Sequence, residues 1–160
     1  MLTQEQLKAE LHYDPETGIF RRLVDRPKSK AGSIVGYPTD RGWLRVKIRG
    51  KHYKLHRLAF LYMTGTIPNE VDHANRIRDD NRWVNLREAT RSQNTHNRNS
   101  GGNSQTGYRG VVKSGRYGYK ALVSVNGERE LSETFDSPEE AYLKYCEMAT
   151  KAFGDYVNLS

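Results

Sequence analysis

The cleanest alternation along the chain runs from Trp43 to Arg49. Leu44, Val46 and Ile48 take one side and Arg45, Lys47 and Arg49 the other, the period of a half-buried strand. Gly50-Lys51 turns this strand back into His52–Leu55, which predicts a hairpin. Leu58, Leu61 and Tyr62 then recur at helical spacing, so residues 56–63 read as a helix that Gly65 can end. Upstream, Thr3 and Gln6 form a capping box for a helix over residues 2–11, with Leu2 stapled onto Leu7. Tyr13–Gly18 is a turn by composition, residues 19–24 a strand, and residues 25–33 a polar loop.

Two short apolar stretches flank a polar loop further on. Val71 leads into Asp72 and His73 as at a strand end, Asn, Asp and Arg dominate the loop, and Val84-Asn85-Leu86 reads as the second strand. Thr90 and Gln93 make another capping box and start a helix whose second turn carries Asn94. Strand, loop, strand and helix in this order let Asp72, His73, Asn85 and Asn94 converge. From Asn97 to Gly107 there is no apolar residue, the composition of a flexible linker. Beyond it, residues 108–113, 119–125 and 129–135 read as strands, with Asn126-Gly127 as a hairpin turn. Ser137-Pro138 opens a helix with Glu140 in its first turn, Ala141, Tyr145, Met148, Ala149 and Ala152 on one face, and Gly154 at its end. The expected class is α+β: N-terminal hairpins leading into a strand–loop–strand–helix unit, then a three-stranded antiparallel sheet packed on one helix. The expected division is a domain over 1–98, a linker over 99–107 and a second domain over 108–160.

Charge adds a partner. The 160 residues carry 26 Lys and Arg against 19 Asp and Glu, a formal net charge of +7. Residues 1–98 hold nineteen of these cations against eleven carboxylates, while residues 99–160 hold seven against eight. A basic N-terminal body suits a polyanion, and the Arg45, Lys47, Arg49 face is a candidate for phosphate contact. Cys146 is the single cysteine, which excludes an intrachain disulfide and a Cys-based zinc site and fits a reducing, cytoplasmic setting. No apolar run approaches the roughly 18 residues of a membrane span.

The stretch Val71-Asp72-His73, Asp80-Asn81-Arg82, Val84-Asn85-Leu86-Arg87 and Ser92-Gln93-Asn94 resembles the HNH nucleases, whose catalytic unit is a ββα-metal hairpin and helix. It looks most like the phage and intron-encoded homing endonucleases whose third signature position is Asn. The resemblance implies that His73 is the general base, that Asp72 and Asn94 bind the metal, and that Asn85 holds the His73 loop. The chemistry agrees with those residue types. A neutral His can take a proton from water, and two oxygen donors suit Mg²⁺ (or Mn²⁺) with positions left for phosphate and water. One nearby His and no Cys argue against structural zinc. His56-Arg57-Leu58 also recurs in this family; His56 is either close to the scissile region or structural. Helical geometry turns His96 away from the Asn94 ligand position and leaves it a phosphate contact at most.

Tyr108-Arg109-Gly110-Val111, Tyr119-Lys120-Ala121, Val125-Asn126-Gly127, Thr134-Phe135-Asp136 and Glu139-Glu140-Ala141 resemble the ethylene-response-factor type of DNA-binding domain, which lays a sheet in the major groove. The resemblance implies Arg109, Lys120 and Arg129 as DNA contacts, with Arg116 near them. Leu122 and Leu131 depart from that pattern, and Glu128, Glu130 and Glu133 dilute its charge. The combined expectation is a metal-dependent endonuclease acting on double-stranded DNA, as a monomer or homodimer, leaving 5′-phosphate and 3′-hydroxyl ends. The rivals are a catalytically silent DNA-binding regulator and, on charge alone, an RNA-binding protein.

Overall fold

The computed structural model describes residues 2–97 and 105–159, so Arg98 and most of the expected linker lie outside the described residues. Two compact units result, residues 1–89 and 90–160. The class is α+β, as the patterning predicts.

In the first unit, helix α1 (Gln4–Glu10) starts at the Thr3–Gln6 capping box. Leu11 begins a strand rather than ending the helix, because β1 (Leu11–Asp14) pairs with β2 (Ile19–Arg22) across the Pro15–Gly18 turn. Two strands the patterning did not show follow: β3 (Ile34–Val35) extends the first sheet and β4 (Tyr37–Pro38) opens the second. β5 (Leu44–Ile48) buries Val46 and Ile48 and exposes Arg45 and Lys47, the alternation read from the sequence. Arg49 and Gly50, both with positive φ, make the two-residue turn into β6 (Lys51–Lys54). Helix α2 (Leu55–Thr64) buries Leu55, Leu58, Ala59 and Leu61 and stops at Gly65 in the left-handed conformation. α1 packs on α2, tied by Gln4 donating to the Tyr62 carbonyl at 2.7 Å. Tyr13, Phe20, Leu7, Leu11, Val46, Ile48 and Val71 complete one hydrophobic core.

On that core sits the antiparallel ribbon of β7 (Glu70–His73) and β8 (Leu86–Ala89). The second strand was expected to begin at Val84. It begins at Leu86, because pairing ends at His73 opposite Leu86, and Trp83–Asn85 instead form a 3₁₀ turn with Val84 exposed.

The second unit contains α3 (Arg91–His96), the sheet β9 (Val111–Ser114), β10 (Gly118–Val125), β11 (Glu128–Leu131), and α4 (Pro138–Phe153). The strand order is β11-β10-β9, all antiparallel. Ala121 and Val123 of β10 are buried with Tyr145, Ala149 and Phe153 of α4. Phe153, not the expected Ala152, closes that face, and Ala152 is exposed. β11 ends at Leu131, and Phe135 rejoins the sheet only through an isolated bridge to Tyr119. Gly110, with φ +69°, passes so close to Tyr145 that a Cβ there would fall 2.0 Å from the ring.

Candidate active site

The register of the ribbon decides what meets what. Asp72 stands opposite Arg87 and His73 opposite Leu86. Arg87 Nε and Nη2 both reach the Asp72 Oδ2 oxygen at 2.9 Å, so the buried carboxylate is compensated by a cation across the sheet. His73 is also buried, at 5% exposure.

After His73 the chain loops out and returns through the 3₁₀ turn, and Asn85 closes that loop. Its Oδ1 accepts from the Asn75 N–H at 2.9 Å, its Nδ2 donates to the Asp80 carbonyl at 2.8 Å, and its own carbonyl accepts from Ala74 N–H at 2.9 Å. Asp80 continues the network: it accepts from Asn75 Nδ2 and pairs with Arg82, both at 2.6 Å. The Arg82 bond, first among its contacts, holds the Asp80 carboxyl down at about 2. The Pro15–Gly18 turn braces the loop from outside. Tyr13 Oη donates to the Asn81 carbonyl at 2.7 Å, and Trp83 N–H donates to the Pro15 carbonyl at 2.9 Å. Gly18, at φ +72°, lies so close that a Cβ would be 2.4 Å from Arg82 N.

Asn81 was part of the motif but had no role assigned to it, since a polar residue in a polar loop gives no pattern. In the structure it is nearly fully buried and faces His73. Its Nδ2 donates to the Asp79 carbonyl, which leaves Oδ1 toward His73 Nε2 at 3.3 Å. An amide oxygen only accepts, so Nε2 carries the proton and Nδ1 carries the basic lone pair. Burial pushes the His73 pKa down, against the opposing pull of the Asn81 bond and of Asp72, Asp80 and Asp79. The ring is therefore neutral at pH 7, the state a proton acceptor needs.

His56 is packed edge-on against His73, ring centroids 4.9 Å apart. Burial first, and His73 second, bring its pKa down to about 3. Trp43 stands 6.4 Å from His56, with Lys54 Nζ 3.8 Å and Arg78 Cζ 5.0 Å from its ring centre.

Asn94 lies in the second turn of α3, as its capping box predicted, and α3 groups with the second unit. His96 is structural there: it stacks on Phe153 at 3.9 Å and Nε2 lies 3.2 Å from the Ser124 carbonyl. Arg109, expected on DNA, is instead directed at the protein, where it donates to the carbonyls of His96 (2.8 Å), Asn158 (3.1 Å) and Thr95 (3.4 Å). Arg116 is exposed beside Tyr117, while Lys120 and Arg129 share the sheet face opposite Ala121 and Val123. Glu128 and Glu130 pair with Val125 and Val123, so they lie on the other side from Arg129. Arg45 and Lys47 are exposed on β5, and Arg49 pairs with the buried Glu10 at 3.0 Å.

Among the described residues no group of three or more His, Cys, Asp or Glu is placed to hold a metal, and no helix is long and apolar enough to cross a membrane. The chain is similar to an uncharacterized HNH endonuclease of Acanthamoeba polyphaga mimivirus, 34% identical over 106 residues. That similarity covers 64% of this chain and 54% of the viral protein, so the chain spans about half the length of that relative. No solved structure matches. The model of the HNH endonuclease family matches residues 53–96, from β6 to the end of α3.

Proposed function

We propose that the chain is a metal-dependent, homing-type DNA endonuclease in which His73 activates the attacking water. The observation that supports this most directly is the setting of His73: a buried, neutral imidazole whose Nε2 faces Asn81, beside a loop bonded through Asn85, within the stretch that the HNH endonuclease family model matches. His73 Nδ1 takes the proton as the water oxygen attacks phosphorus, and the P–O3′ bond breaks; the departing 3′ oxygen takes a proton from a second water, which leaves 5′-phosphate and 3′-hydroxyl ends. Asn85 maintains the loop, and Asn81 maintains the tautomer.

The donors fit a hard ion. A carboxylate at Asp72 and an amide oxygen at Asn94 are both hard oxygen donors, and two such donors suit an ion that relies on water and DNA phosphate for its remaining ligands. Mg²⁺ (or Mn²⁺) held by Asp72 and Asn94 would polarise the phosphate and neutralise charge on the 3′ oxygen.

For the second unit we propose an ethylene-response-factor type of DNA-binding role, supported by its three-stranded antiparallel sheet packed on one helix. Arg116, Lys120 and Arg129 are its DNA-facing cations. The substrate is double-stranded DNA, the setting a cytoplasm, phage-infected or otherwise, and the protein acts as a monomer or homodimer. The alternative is a silent DNA-binding regulator, favoured by the commitment of Asp72 Oδ2 to Arg87. Supercoiled plasmid incubated with the protein, with and without Mg²⁺, separates the two. Nicked or linear product with 5′-phosphate ends supports the nuclease, and binding without any product supports the regulator.

A further inference from the structure

The first unit carries a cationic feature besides the basic face read from the sequence. Four other cations, Arg41, Lys54, Arg57 and Arg78, lie near one another, and two of them meet the Trp43 ring. Lys54 and Arg78 stand over its ring, Arg78 also donates to the Arg41 carbonyl at 2.7 Å, and Arg57 follows Lys54 by one helical turn on α2. None of the four forms an ion pair among the described residues, in contrast to Arg26, Arg49, Arg82 and Arg87, which all do. The crowding is felt. Burial lowers the Lys54 pKa, Arg57, Arg41 and Arg78 lower it further, and Glu70 alone opposes. Lys54 is also the N-cap of α2, whose first turn contains no acidic residue and whose cap makes no side-chain bond, so the positive end of the helix adds to the field. Trp43, His56 and His73 form a chain of rings with spacings of 6.4 and 4.9 Å, which sets this cluster beside the base.

We infer that Lys54 and Arg78, ordered on Trp43, together with the neighbouring Arg41 and Arg57, hold the cleaved DNA strand by the phosphates that flank the scissile one. A strand presents one negative charge about every 3.4 Å, so a cluster of this kind engages successive phosphates. The Trp43 ring keeps the Lys54 and Arg78 stems in place by cation–π attraction, which limits the ordering cost on binding. Arg78 sits on the loop that follows His73, so a phosphate held there fixes the strand relative to the base. The inference rests on the nuclease reading for which phosphate is cut, but the DNA contact itself is measured separately.

The experiment uses the full chain and a fluorescent duplex in EDTA, with affinity followed as a function of salt. The double variant Lys54→Gln, Arg78→Gln should bind about tenfold more weakly and lower the slope of log affinity against log salt by about 2, since each phosphate contact contributes roughly 0.9. Lys54→Arg, which keeps the charge, should retain the slope. Arg45→Gln, Lys47→Gln on β5 is the comparison. An unchanged slope in the Lys54/Arg78 variant, or the whole loss appearing in the β5 variant instead, overturns the inference. Amine-reactive footprinting of the wild-type chain guards against misfolded variants: duplex should protect Lys54, and unprotected Lys54 under saturating duplex overturns the inference as well. A chain that binds with this dependence yet never cuts with Mg²⁺ strikes the nuclease reading and leaves the contact standing.

Discussion

The rings of His56 and His73 meet edge to face at 4.9 Å, two buried imidazoles brought together by the start of α2 and the end of β7. Burial holds the pKa of His56 near 3, whereas the unfolded chain protonates it near 6.5. The unfolded state thus binds the proton first, so stability is full above about pH 6.5 and falls as pH drops toward 3. His56 alone accounts for about 1.4 kcal/mol per pH unit in that window, and His73 is shifted in the same direction. Urea unfolding at pH 7.5 and pH 5 should show this loss in the wild type and a smaller one in His56→Leu. Equal losses would remove His56 from the acid response.

His73→Ala should lower plasmid nicking by roughly 10²–10⁴ and leave duplex affinity nearly unchanged. The comparison is single-turnover cutting against binding in EDTA. A variant that cuts at the wild-type rate assigns the base elsewhere.

Asn85→Ala removes the acceptor for Asn75 N–H and the donor to the Asp80 carbonyl. Stability should fall by about 1–3 kcal/mol, and nicking should fall with it because the His73 loop loses its tie. Asn85→Asp keeps the acceptor and loses the donor, so it should lie between the two. Chemical denaturation and nicking rates on the same samples check both halves.

Asp72→Asn preserves shape while discarding the charge that faces Arg87. EDTA should abolish nicking of the wild type and Mg²⁺ or Mn²⁺ restore it. The variant should need at least about tenfold more Mg²⁺ for half-maximal nicking, in the range that loss of one ligand or its support produces. An unchanged Mg²⁺ titration would overturn the assignment of Asp72 as a metal ligand.

Helix α3 has six residues and buries none of them. It is held by the His96–Phe153 stack, by Arg109 on the carbonyls of Thr95 and His96, and by Asn158 N–H on His96 O at 3.2 Å. Deleting residues 105–160 therefore strips the Asn94 helix of its packing, and short helices do not persist alone. The truncated chain should show no Mg²⁺-dependent nicking even when its first unit remains folded by circular dichroism. Persistent nicking would show that α3 finds sufficient support without the second unit.

Much of this architecture was legible without coordinates because its causes are local. Thr3 and Thr90 cap the helices they were expected to cap, Gly65 and Gly154 end theirs, and the β5 alternation survives in the burial of Val46 and Ile48. The strand at Val84 was misplaced because β-propensity ignores register: pairing with Glu70–His73 ends at Leu86. Tertiary structure alone could decide what depends on residues distant in sequence. Asn81 is polar in a polar loop, and only the docking of Tyr13, 68 residues away, and its burial against His73 give it a task. Arg109 carries the same charge as any surface cation, but the carbonyls that converge on it come from α3 and the C-terminal segment. The Trp43 cluster draws on the turn before β5, on β6, on α2 and on the loop after His73. Caps and periodicity act over three or four residues and are written in the chain; partners that desolvate or neutralise a charge are chosen by the packing of the whole fold.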